Sequence, residues 1–216
     1  MEKLIHIKQP QAILEGMLKV PDSASGLVLF AHGSGSSRFS PRNNYVADIL
    51  NQSGLATLLI DLLSKEEDET YATRFNIELL SERLGAVVYW LEKQSETKSL
   101  PIGLFGSSTG AAAALEVAAA LGKKIQAVVS RGGRPDLAMA VLDKVTASTL
   151  FIVGGNDFGV IDLNQDAYAC LTCSKKFEIV PRATHLFEEP GCLEEVARLA
   201  KNWFLQHLAS KKKALQ

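Results

Sequence analysis

The apolar positions of the chain fall into two alternating rhythms. Residues 4–8 (LIHIK) and 12–20 (AILEGMLKV) read as two strands joined by a turn at Gln9–Pro10. Residues 26–33 (GLVLFAHG) form a short, continuous apolar run that ends in glycine, the pattern of a strand buried on both faces. Helical spacing follows at Val46, Ile49 and Leu50, with Gly54 as a stop, and residues 55–61 (LATLLID) give another buried strand. Residues 64–70 (SKEEDET) carry charge without an apolar period and read as a mobile surface loop. An amphipathic helix is expected over 74–94, with Ile77, Leu80, Leu84, Val87, Val88 and Leu91 toward the core.

The second half repeats the alternation. Strands are expected at 101–106, 124–130, 148–155 and 175–181. Helices are expected at 108–121, at 135–145 behind a proline, at 160–171 and at 192–209. The lysines at 211–213 read as a frayed, solvated tail. Strands and helices alternate without an internal repeat or a linker, which predicts one α/β domain over residues 1–216 around a mainly parallel sheet. In such sheets ligands bind beyond the carboxyl ends of the strands, so chemistry is sought there.

Composition narrows the classes. A chain of 216 residues with 47% hydrophobic and 22% charged residues is long enough for a sizeable core and ordinary for a globular protein. A formal net charge of -1 gives no electrostatic reason to expect nucleic acid or a charged membrane as partner. The first residues hold no apolar run of signal-peptide length, and the alanine run at 111–121 is too short to span a bilayer. A cytoplasmic location is the expectation, with the oligomeric state left open. Three cysteines argue against a disulfide framework. Cys170 and Cys173 form a C-x-x-C, the spacing of a redox pair or of half a metal site. No second pair or nearby histidine completes a metal site, and two small apolar residues at a helix end are the plainer reading.

Four strand ends carry polar residues: His32-Gly33-Ser34-Gly35, Gly106-Ser107-Ser108-Thr109-Gly110, Asn156-Asp157 and His185. Only Ser108 has glycine at both the minus-two and plus-two positions, so G-x-S-x-G selects it over Ser107. A sharp strand-to-helix turn there presents the Ser108 hydroxyl at a helix N-terminus, where donors and dipole favour a developing negative charge. His185 is the expected general base and Asp157 its orienting acid. Asp61 also ends a strand and competes for the acid role; the chain order Ser, Asp, His favours Asp157. The backbone N–H groups of Ser34 and Thr109 are the expected oxyanion hole. His32 is expected to brace the oxyanion loop. Arg131, at a strand end, is a candidate to fork onto a substrate carboxylate or phosphate, against the alternative of a salt bridge or solvent; Arg38, Arg42 and Arg182 are weaker candidates.

These stretches (LVLFAHGSGSSRFSPRN, GLFGSSTGAAAALEVAA, VSRGGRPDLA, FIVGGNDFGV and VPRATHLFEEPGCLEEVARLAKNWF) resemble, over nearly the full length, the dienelactone hydrolase-like group of α/β-hydrolases. Some relatives in that group are encoded with or fused to phosphoribosyltransferase domains. The resemblance implies an eight-stranded, mostly parallel sheet with helices on both faces and no large cap, residues 62–73 being the one candidate flap. It implies a hydrolase of a small-molecule ester, thioester or lactone, with no cofactor and no metal. Dienelactone hydrolase itself has cysteine at the centre of the elbow, where this chain has Ser108, so serine-esterase chemistry is expected and dienelactone is not carried over as substrate. The alternative is a hydrolase-fold binding or regulatory module with little turnover, associated with a phosphoribosyltransferase.

Overall fold

The computed structural model describes residues 1–208, so the basic stretch at 211–213 lies outside the described residues. Eight strands form one sheet: β1 (Glu2–Lys8), β2 (Ile13–Lys19), β3 (Gly26–Ala31), β4 (Leu55–Ile60), β5 (Ile102–Ser107), β6 (Ile125–Arg131), β7 (Ser148–Gly154) and β8 (Lys175–Val180). Their order is β1-β2-β4-β3-β5-β6-β7-β8. β2 runs antiparallel to β1 and to β4, and every pair from β4 onward is parallel.

The longer helices are α1 (Pro41–Gln52), α4 (Ile77–Leu91), α5 (Thr109–Leu121), α6 (Phe158–Cys170) and α7 (Cys192–His207). Alternate strand residues feed two cores. Leu29, Leu58, Leu104 and Val128 pack with Leu84, Val88 and the alanines of α5. Phe30, Leu59, Phe105 and Val129 pack with Leu50 of α1 and with Val196, Trp203 and Phe204 of α7. Burial on both faces is why the central strands read as unbroken apolar runs.

Two expectations are corrected. The charged stretch after β4 is not an open loop: a one-turn helix, α2 (Lys65–Asp68), forms within it, and a second, α3 (Tyr71–Arg74), follows directly. Ser64 and Glu67 form a reciprocal capping box at α2, and Arg83 of α4 grips both Glu67 carboxylate oxygens at 2.6 Å. The guanidinium thus ties the segment to α4 and holds the Glu67 carboxyl below the usual carboxylate range. The expected helix at 135–145 is a tighter 3-10 segment, Pro135–Lys144, broken at Ala138.

Candidate active site

The elbow between β5 and α5 is built from sterics. Ser108 sits at φ 50° and ψ -122°, a conformation that side-chain-bearing residues rarely adopt. A Cβ on Gly106 would lie 2.4 Å from Ala111 Cα, and one on Gly110 2.2 Å from the Ala31 carbonyl oxygen. Both flanking glycines are therefore required by close approach of α5 to the sheet, which the buried run Ala111–Ala114 permits. Two hydrogen bonds to one neighbouring loop hold the turn: Ser108 N–H donates to Arg131 O at 3.3 Å, and Arg134 N–H donates to Ser108 O at 3.0 Å.

The two adjacent serines face different surroundings. Ser107 is buried, and its hydroxyl donates to Asn43 Oδ1 on α1 at 3.1 Å. Among the described residues, Ser108 Oγ makes no hydrogen bond, to His185 or elsewhere.

Asp157 ends the loop after β7 and caps the N-terminus of α6, but its carboxylate makes no cap bond there. It accepts instead from His185 Nδ1–H at 2.7 Å. The loop that carries His185 is tied down at several points. Glu189 accepts from Thr184 N–H and Thr184 Oγ1, at 3.1 and 2.6 Å, bonds that lower its carboxyl below the usual range. Arg42 pairs with Glu188 at 2.8 Å, and Phe187 is fully buried. Asn156 N–H donates to Ala183 O at 2.9 Å, so the loops that carry Asp157 and His185 are stitched together beside the Asp157–His185 bond. Asp61, the competing acid, pairs with Arg38 rather than with a histidine.

On the other side of Ser108 lies the His-Gly-Ser-Gly loop after β3. His32 is buried; its Nε2 accepts from Leu62 N–H at 3.3 Å, so its Nδ1–H donates to Gly33 O at 3.0 Å. The imidazole thus clips this loop to the end of β4. Ser34 N–H donates to Thr109 Oγ1 at 3.0 Å, which puts the two expected oxyanion residues in contact. Thr109 is the first residue of α5, so its own N–H has no carbonyl one turn back to bond. A cleft of about 620 Å3 opens beside the loop, lined by His32, Ser36, Phe39, Asp61 and Leu63 among others. Arg74 of α3 reaches over Gly35, its Nη1 3.7 Å from where a Cβ would stand.

Arg131 is 5% exposed, with its guanidinium 3.5 Å from Asn43 Oδ1 and 5.6 Å over the Phe187 ring. Burial, with Arg42 nearby, pushes its pKa down to about 10, so it stays charged at neutral pH. It lies behind Ser107, under the loop that carries His185. Arg38 and Arg42 are taken by carboxylates, and Arg182 is an exposed turn residue at φ 68°. Cys170 and Cys173 are free thiols at the far end of α6 from Asp157. Asn43 and Asn164, both buried and hydrogen-bonded close to the elbow, carry no signal in the sequence, where an asparagine on a helix reads as solvated. No helix among the described residues is long and apolar enough to cross a membrane.

The geometry can be set beside known proteins. A family model described as the dienelactone hydrolase family matches residues 14–207. The structure of a dienelactone hydrolase from Anabaena variabilis is 53% identical, with a TM-score of 0.94, over 96% of this chain and 98% of that one. Est1E from Butyrivibrio proteoclasticus shares the fold at 18% identity, with a TM-score of 0.81 over 94% of this chain and 98% of that one. Proteins from two strains of Mycobacterium tuberculosis, provisionally named phosphoribosyl transferases, are 56% identical over 193 residues. That match takes in 89% of this chain and 44% of theirs, so the chain spans less than half the length of these curated relatives. The elbow, the strand order and these matches agree: the chain belongs to the dienelactone hydrolase family of α/β-hydrolases.

Proposed function

We propose that the protein is a serine hydrolase that cleaves a small ester, thioester or lactone through an acyl-enzyme on Ser108. The observation that carries the reading is the 2.7 Å bond from His185 Nδ1–H to Asp157, made beside a serine in a strained elbow. Fixing the proton on Nδ1 leaves Nε2 as the basic nitrogen. Ser108 Oγ adds to the substrate carbonyl while Nε2 takes its proton, and the C–O or C–S bond breaks as Nε2 returns that proton to the leaving alcohol or thiol. Water then attacks the acyl-serine in the same way and releases the acid.

The carbonyl oxygen gains charge between the N–H groups of Ser34 and Thr109. The oxyanion takes over from Thr109 Oγ1 the acceptor place at Ser34 N–H. Each such donor contributes about 3 kcal/mol to the transition state. Arg131 enters as support for the His185 loop rather than as a substrate contact, because it is buried against Phe187 and Asn43. No cofactor is needed for these steps.

Labelling with a fluorophosphonate, the adduct located by peptide mass, tests the reading. An adduct on Ser108 that is lost on denaturation is the expected result. One observation favours a second reading, a binding or regulatory unit with little turnover: the relatives named phosphoribosyl transferases extend well beyond the matched region. Absence of native labelling selects that reading.

A further inference from the structure

We infer that Asn164 is a positioning residue that locks the Ser108 elbow from the helix carrying the acid. The inference rests on the serine-hydrolase reading above. Asp157 caps α6, and Asn164 lies two turns on. It is fully buried, and with Ala167 it makes up the buried face of that helix. An amide in such a place is costly unless its polar atoms are bonded. Both hydrogens of Nδ2 are used, one by Val160 O at 2.8 Å, within the helix, and the other by Gly133 O at 2.9 Å, on a different segment, while Oδ1 is buried with no hydrogen-bond partner among the described residues.

Gly133 belongs to the four-residue loop from Arg131 to Arg134 that grips Ser108 from both sides. Arg131 O accepts from Ser108 N–H, and Arg134 N–H donates to Ser108 O. Between those two anchors, Gly132 N–H bonds Ile152 O at 2.8 Å and its Cα lies against the base, a Cβ there falling 3.5 Å from His185 Cε1. Gly133 has no room for a side chain, since a Cβ would stand 2.0 Å from Ser130 Oγ and 2.7 Å from Ala111 Cβ. Its carbonyl is aimed away from the elbow, into Asn164.

The Gly133 carbonyl and the Arg134 N–H share one planar peptide, so turning that carbonyl turns the N–H that holds Ser108 O. A left-handed, non-glycine residue persists only where its surroundings over-determine it. Asn164 supplies part of that over-determination, and it does so from the element that also presents Asp157. Nucleophile and acid are registered to each other through one buried amide as well as through His185.

The test compares the full chain with Asn164→Leu, which keeps the branched shape and removes both donors, and Asn164→Ser, which stays polar but does not reach Gly133. Fluorophosphonate labelling rates, kcat and KM on p-nitrophenyl acetate, far-UV dichroism and amide exchange are measured on each. In folded variants, labelling and kcat should fall together by about 10- to 100-fold, the scale of a small misplacement of reacting groups, with KM within about threefold. Exchange at the Arg134 amide should quicken while that of β5 and β6 is unchanged. Folded variants that label at the wild-type rate overturn the assignment, as does a loss of activity that tracks only the unfolded fraction. A wild-type protein that does not label overturns the hydrolase reading and the assignment with it.

Discussion

The close approach of the loop after β3 to Ser108 gives a stringent test of the proposed site. A methyl added at Gly33 would stand 2.9 Å from Ser108 Cβ and 3.1 Å from Ser107 O, where ordinary contact begins near 3.4 Å. The backbone of Gly33 lies outside the left-handed region, so Gly33→Ala introduces no dihedral strain and acts through that contact alone. Loop and elbow must part by roughly half an ångström. Overpacking of this kind costs about 1–3 kcal/mol, or roughly 2–12 °C in Tm for a chain of this length. A shift of one ångström at reacting groups costs up to about 100-fold in rate, so half of that predicts roughly a tenfold drop in kcat. The assay is p-nitrophenyl acetate hydrolysis well below the variant's Tm, with the native fraction fixed by dichroism. Gly85→Ala is the control: nothing lies within 4 Å of its added Cβ, and removing a glycine inside α4 should raise stability by about 0.5–1 kcal/mol without touching the rate. A folded Gly33→Ala protein with kcat within twofold of wild type refutes the placement of this loop against Ser108.

Three further variants test the elbow and the Glu67–Arg83 pair. Ser108→Ala should abolish turnover and labelling while the fold survives. Ser107→Ala should lose about 1 kcal/mol with its bond to Asn43 and keep its activity, so equal losses in the two variants contradict the chosen register. Glu67→Gln should destabilise the protein by about 1–3 kcal/mol near neutral pH, because buried Arg83 loses its charged partner. The Glu67 carboxyl is held low, so its contribution is fully present above the unfolded value and is lost as pH falls through the folded one. The gap between wild type and variant in urea titrations should therefore close on acidification, and a gap independent of pH contradicts the ion-pair account.

The legible parts of the molecule are those whose signal is local. The runs GLVLFA, LATLLI and STLFIVG announce strands because both of their faces are buried. Gly106 and Gly110 pick out Ser108 because the sterics of the turn act within a few residues. β1 begins two residues before its apolar run because Glu2 and Lys3 already pair with β2, Glu2 exposed and Lys3 half-buried on the face of Ile5 and Ile7 with its amine bonded to Glu96. Around α2 the capping box was legible in Ser64 and Glu67, but the density of charge hid it; Arg83, which completes it, comes 16 residues later. Asn43, Asn164 and Arg131 were the opaque positions. Their burial depends on partners 64, 31 and 88 residues away, and no window along the chain contains both ends of those bonds.

The place of each group in the sheet has a consequence for how activity would be lost. Ser108 leaves β5, which has strands on both sides, whereas His185 leaves β8, which is bonded to β7 alone. Edge elements open at lower free energy than central ones. On the reading proposed above, heat or denaturant that frays this margin should part His185 from Ser108 while both cores stay in place. Inactivation should then run ahead of global unfolding, and the working lifetime of the site becomes a property of the last strand rather than of the core.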